Sequence, residues 1–289
     1  MNMKKMFLAL IALCALSTFA TAQMQIRIGG SGAREAAVEP LDSAYLKCSY
    51  TLRFVQNAEK PENTRSEEML LLVGKQMSHF FSYTEFQADS LHATMTSEQL
   101  IASAESGSFK FGFFKYHLFK NYPSGKITTT DAITMNNYRY EEPNEKPEWE
   151  ILPDTMNILG YNAQKATTSF RGRDYVAWFT MEIPISNGPW KFTGLPGLIL
   201  NISDTQNHYV FECSGIETPQ EKIVIGMKKL NYMNVSKKDF NKVYERYIKD
   251  PLGSVNTNPN VRIVMKNQDG TPMTSQNLPK MSHNPIELE

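Results

Sequence analysis

The chain has 289 residues, 30 basic and 30 acidic side chains for a formal net charge of zero, and 41% hydrophobic residues. That balance gives no electrostatic footprint for nucleic acid or for an anionic membrane surface. The length accommodates one large domain or two small ones. We favour one, because no linker rich in Pro, Gly or Ser divides the middle and no fixed-period repeat is visible.

Lys4 and Lys5 precede an apolar run from Met6 to about Leu16, and Ala20-Thr21-Ala22 offers small residues before a cut at Gln23. Residues 1–22 therefore read as a secretory signal peptide, with an apolar run too short to span a bilayer. Leu13 stands where a lipobox before Cys14 requires a small residue, so lipidation is disfavoured. Cleavage removes Lys4 and Lys5 and no acid, leaving 28 basic against 30 acidic residues, a formal −2 with no transmembrane span expected. Residues 23–42, with Gly29-Gly30-Ser31-Gly32 and few large apolar side chains, read as a flexible lead-in. Ser31 has Ala33 where a nucleophile elbow needs glycine.

Residues 43–254 carry the patterns of a β-rich domain. Leu46, Cys48, Tyr50, Leu52 and Phe54 alternate with polar residues, as a strand with one buried face does. Met69 to Val73 reads as a second strand, and Gly74-Lys75 leads from it into Ser78-His79-Phe80-Phe81-Ser82-Tyr83. Ser82 with Glu85, and Thr96 with Gln99, have capping-box spacing for two short helices, the second stopped at Gly107. His79 and His92 fall here without metal-ligand spacing, and no metal or cofactor is expected. The alternation of Phe109, Phe111 and Phe113 begins a region of three strands ending near residue 140, its aromatic stripe read as core or as a ligand-contacting wall.

Residues 156–185 predict a hairpin with its tip at Arg171-Gly172-Arg173, both arginines outward. Glu182, among Ile183, Pro184 and Ile185, is a partly buried carboxylate: a structural hydrogen bond to backbone is the plainer role, a catalytic acid or base the sharper one. Pro196-Gly197 between two apolar segments predicts a type II turn over Leu195 to Leu198, with Gly197 at positive φ, Trp190 and Phe192 on a strand before it and Leu198, Leu200 and Ile202 on one after. Cys213 lies on an apolar strand face as Cys48 does; the two either form a disulfide after export or stay buried thiols. Ser236 and Asp239 cap a helix whose apolar face is Phe240, Val243, Tyr244, Tyr247 and Ile248, ended by Pro251. Residues 255–289 are a polar C-terminal tail that either wraps the surface or is disordered.

The hexapeptide Gly194-Leu195-Pro196-Gly197-Leu198-Ile199 also spells a family name. With residues 70–75 (LLLVGK), 78–82 (SHFFS), 160–166 (GYNAQKA), 171–180 (RGRDYVAWFT), 183–190 (IPISNGPW) and 284–288 (NPIEL), the chain resembles the GLPGLI family of exported Bacteroidetes proteins. The resemblance covers most of the chain after residue 22. It departs at Ala163, where many relatives are expected to carry cysteine, which counts against a disulfide inferred from the family. It implies export to the periplasm or outer envelope and a β-rich domain, and it brings no established reaction.

The expected fold is mainly β (α+β): an antiparallel, strongly curved sheet or partial barrel with a few peripheral helices. The expected function is non-enzymatic binding of an apolar or amphipathic ligand, with Trp178, Glu182, Trp190 and Phe192 as the candidate binding surface. An accessory or scaffold protein binding another envelope protein is the alternative, and a hydrolase using Glu182 the weaker one.

Overall fold

The computed structural model describes residues 23–25, 36–96, 98–99, 102–103, 106, 108, 111–256, 264–266, 271 and 281–288. The expected leader and Gly107 lie outside these residues. The strands are β1 (Gln23–Gln25), β2 (Val38–Val55), β3 (Thr64–Gly74), β4 (Ser78–Ser82), β5 (His117–Lys120), β6 (Lys126–Ile133), β7 (Asn136–Pro143), β8 (Glu150–Ile158), β9 (Tyr161–Phe170), β10 (Arg173–Thr180), β11 (Leu198–Asp204), β12 (Tyr209–Glu217), β13 (Ile223–Lys228), β14 (Tyr232–Asn234) and β15 (Val264–Lys266). The helices are α1 (Tyr83–Thr94), α2 (Lys237–Lys249) and α3 (Pro251–Asn256).

Thirteen strands form one open sheet in the order β14-β7-β6-β5-β4-β3-β2-β12-β11-β10-β9-β8, with β13 also on β2. Every pairing in it is antiparallel except β14 with β7. β1 and β15 pair separately. Strands far apart in this order share one core: Ile127 of β6, Phe80 of β4, Tyr50 of β2 and Ala166 of β9 belong to a single buried cluster. A flat sheet could not bring them together, so the sheet curls around its own inner face. Tyr50 Oη, donating to the Ile199 carbonyl at 2.7 Å, ties the two sides together.

β2 is longer than its alternation predicts, starting at Val38 within the expected lead-in. Its first half extends past β3 and pairs with β13. Together with β13 it packs Ile225 and Met227 over Leu70, Leu72 and Phe119 on the outer face, making a second, smaller cluster. The capping signals are read correctly where they are local. Glu85 N donates to Ser82 Oγ at 2.9 Å, Thr96 and Gln99 exchange both capping-box bonds, and Asp239 N donates to Ser236 Oγ at 3.1 Å. α2 lays Phe240, Val243, Tyr244 and Tyr247 on Ile133, Tyr138 and Tyr140.

Three expectations change. Residues 111–116 form a loop, and the first strand of that region is β5, because Phe113 and Phe114 N–H groups donate to the Glu67 carboxylate instead of to a neighbouring strand. The Leu195–Leu198 bend is not a type II turn: positive φ falls on Trp190 (47°) and Gly194 (100°), and Gly197 is absent from that region. Gly197 is instead a place of close approach, where an added Cβ would sit 2.6 Å from the Thr180 carbonyl carbon and nearer still to its oxygen. The residues before it form a loop, not a strand, and its Trp190, Phe192 and Leu195 are all buried.

Candidate functional site

A cavity of about 360 Å³ lies on the outer face of the sheet, roofed by β13, the segment leading to β14, and α1. Its size falls in the range of small-molecule sites. The floor follows from period-two alternation on neighbouring strands: Leu70 and Leu72 on β3, His79 and Phe81 on β4, His117 and Phe119 on β5. His79 stacks on Phe119 at 4.3 Å and on Phe81 at 4.4 Å between ring centroids, and His117 stacks on Phe81 at 5.5 Å. His79 Nε2 and His117 Nδ1 are 3.0 Å apart, so one ring nitrogen donates to the other. Burial, with His117 adding to it, holds the His79 pKa well below its usual value, so this ring is neutral at neutral pH.

The remaining lining mixes apolar side chains with the ionisable groups of Lys47, Glu85, Asp89, Lys115, Asp131 and Lys228, and Val38, Phe86 and Val224 leave large hydrophobic surface exposed at the rim. At one end burial pushes Glu85 and Asp131 up to about 7, so that near neutrality each passes between its charged and uncharged forms. Beside the opening, Lys228 Nζ of β13 donates to Asp89 Oδ2 of α1 at 2.6 Å and holds the roof to the helix. Polar edges on an aromatic floor, beside apolar side chains, can orient a ligand's polar group while burying its apolar part. Among the described residues no group of three or more His, Cys, Asp or Glu could hold a metal ion.

The surface expected from Trp178, Glu182, Trp190 and Phe192 does not assemble. Trp190 and Phe192 are in the core at 2% and 0% exposure, out of a ligand's reach. Trp178 is half-buried with Lys165 Nζ over its ring. Glu182 is exposed, not partly buried, and accepts the Asn162 N–H at 2.7 Å, the structural role weighed for it. The motif residues Gly194 to Ile199 close the core. Cys48 and Cys213 lie on adjacent strands and on one buried face, since Cys213 pairs with Tyr50, two residues from Cys48; both are free thiols.

The hairpin-tip arginines do not point outward. Arg171 and Gly172, at φ of 50° and 80°, make the two-residue turn, but their neighbourhood is a buried charge cluster. Arg171 pairs with Glu142 at 2.7 Å and Glu287 at 3.0 Å, and Arg173 with Asp204 at 3.0 Å. Lys191, within the motif region and 2% exposed, meets Glu287 at 2.5 Å and also Glu142, while Lys237 of α2 reaches Glu287. The end of the polar tail, read as surface wrap or disorder, thus packs into the cluster.

Sequence reasoning missed the cavity and this cluster. The one usable signal for the cavity was the repeated pattern of histidine two residues before phenylalanine, in His79-Phe80-Phe81 and His117-Leu118-Phe119.

Residues 115–201, which span β5 to the middle of β11, match a family model described as "Protein of unknown function (Porph_ging)". No curated protein matches the chain. Among solved structures it is similar to PNGF-II in its P21 and C2 crystal forms, each at 15% identity and a TM-score of 0.44, over 70% of this chain and 33% and 32% of that one. The chain therefore spans about a third of the length of PNGF-II. Among the described residues no helix is long and apolar enough to cross a membrane.

Proposed function

We propose that this chain is an exported protein of the GLPGLI type that binds an apolar or amphipathic ligand without transforming it. The observation that carries the reading is the 360 Å³ cavity on the outer sheet face, with its aromatic floor and exposed apolar rim. The apolar side chains of the lining supply affinity through burial, at about 25 cal/mol per Å² removed from water. The histidine edges and the two near-neutral carboxyls give the ligand's polar end somewhere to hydrogen-bond. Export rests on the leader pattern and the family resemblance.

The test is native mass spectrometry of protein purified from its own envelope, followed by titration with a fluorescent apolar probe. Retained small-molecule mass and saturable probe binding are expected. Ala132→Phe, which fills the cavity, should weaken the probe by about tenfold or more, while Trp178→Ala leaves it unchanged. Equal binding by wild type and Ala132→Phe would refute the site.

A partner protein is the second reading, favoured by β8. Among the described residues this edge strand pairs only with β9, and it exposes Ile151 (46%) and Met156 (43%), a template for an added strand. A co-purifying polypeptide lost on Met156→Lys would support it over the first.

A further inference from the structure

We propose that the groove filled by residues 284–288 is a peptide-recognition site, and that the same segment of a second copy can fill it in trans. Its contacts are those of a bound peptide. Arg173 Nη2 donates to Asn284 Oδ1 at 2.8 Å and to the Pro285 carbonyl at 2.7 Å, and its Nε to the Ile286 carbonyl at 3.2 Å. Tyr209 Oη donates to the Asn284 carbonyl at 2.5 Å, so three consecutive carbonyls are read, and proline leaves no N–H to satisfy. Asn284 Nδ2 donates to the Val55 carbonyl at 2.9 Å, and Leu288 N to the Arg171 carbonyl at 3.1 Å.

Charge makes the site selective. Without Glu287, the cations of Arg171, Lys191 and Lys237 would face only Glu142 and the exposed Glu145. The groove therefore requires an anion, and the segment supplies it at a fixed distance from the amide of Asn284. An acidic Asn-Pro-Ile-Glu segment supplies partners to Arg171, Arg173, Lys191, Lys237 and Tyr209.

The contacts named above are all made by residues 284–288 themselves. Residues 257–283 separate α3 from the groove, a length that when extended reaches on the order of 90 Å. The register is set by the groove, so the segment of another copy makes the same contacts, and the tethered one is a competitor favoured by its effective concentration.

The experiment cuts the tether after folding. A protease site placed between residues 272 and 280 is cleaved in the folded chain, and circular dichroism confirms that the fold persists. Fluorescein-labelled peptide of residues 281–289 is then added. The cleaved segment should remain through gel filtration and exchange with the labelled peptide to one site per chain. Peptides carrying Glu287→Gln or Asn284→Ala should bind about tenfold or more weakly, as expected when charge-assisted or buried hydrogen bonds are lost. Three results overturn the proposal: no binding of labelled peptide at about 1 mM, the weak end of measurable affinity; a retained segment that never exchanges; or equal binding by the parent and both substituted peptides.

Discussion

Arg173 and Asp204 meet at 3.0 Å with side chains only 4% and 2% exposed, and each is fastened further: the arginine to the 284–286 segment, the aspartate to the Tyr209 N–H at 2.7 Å. Removing one partner strands the other charge away from water, so Asp204→Ala should cost about 3–5 kcal/mol. Arg173→Lys keeps the charge but loses the planar fork that reaches several acceptors together, and should also destabilise. Urea unfolding midpoints measure both, and wild-type midpoints would mean that the pair contributes nothing.

Gly197→Ala should destabilise by about 1–3 kcal/mol or more, the usual cost of forcing atoms into a packed site, because the new methyl collides with the Thr180 backbone. Gly194→Ala should destabilise through its φ of 100° instead, at roughly 1–3 kcal/mol of backbone strain. A Gly197→Ala midpoint equal to wild type would contradict the close approach.

Acid titration should reveal carboxyls of opposite sign. Burial alone would raise Glu287, but Lys191, Lys237 and Arg171 outweigh it and hold its pKa at about 2 against an ordinary 4.5. Its stabilisation is present above pH 4.5 and lost as pH falls to about 2. Burial pushes Glu67 and Glu85 up to about 7 from 4.5, so the folded chain binds those protons more tightly than the unfolded one. Their contribution is full below pH 4.5 and declines as pH rises to about 7. Thermal melts across this range should therefore show Glu287→Gln approaching wild type at the acid end, and Glu85→Gln, which mimics the protonated acid, differing from wild type more at pH 7 than at pH 4.

Burial pushes the Cys213 thiol up to about 11 and Cys48 higher still. Thiolate is the reactive form, so neither should be alkylated in the native state at neutral pH. A chain lacking residues 1–22 should show two reactive thiols in urea. Fast labelling of the native protein would contradict their burial, and none in urea would mean that they had oxidised to a disulfide.

Much of the fold was legible because its signals are local. The alternation from Leu46 to Phe54 and the Ser236–Asp239 cap depend on residues a few positions apart, and they hold in the structure. Pro196-Gly197 carries an equally local turn signal, yet contact with Thr180, distant in sequence, decides what that glycine does. Arg171 and Arg173 misled for the same reason: an outward charge and a buried one look alike when the partner is Glu287 or Asn284, over a hundred residues away. The cavity was hidden because core and pocket share a composition and differ in shape.

The docked 284–288 segment also bears on how long the native state lasts. Asn284 bridges to Val55 across 229 positions, and Arg173 to Ile286 across 113. The entropy of closing such loops is spent before these bonds reward it, so they consolidate after the hairpins of the sheet. Interactions absent from the transition state slow unfolding and leave the folding rate nearly untouched. The segment is thus a brake on the way out of the native basin: loosening it shortens the lifetime of the folded chain against proteases without changing how quickly that chain is made.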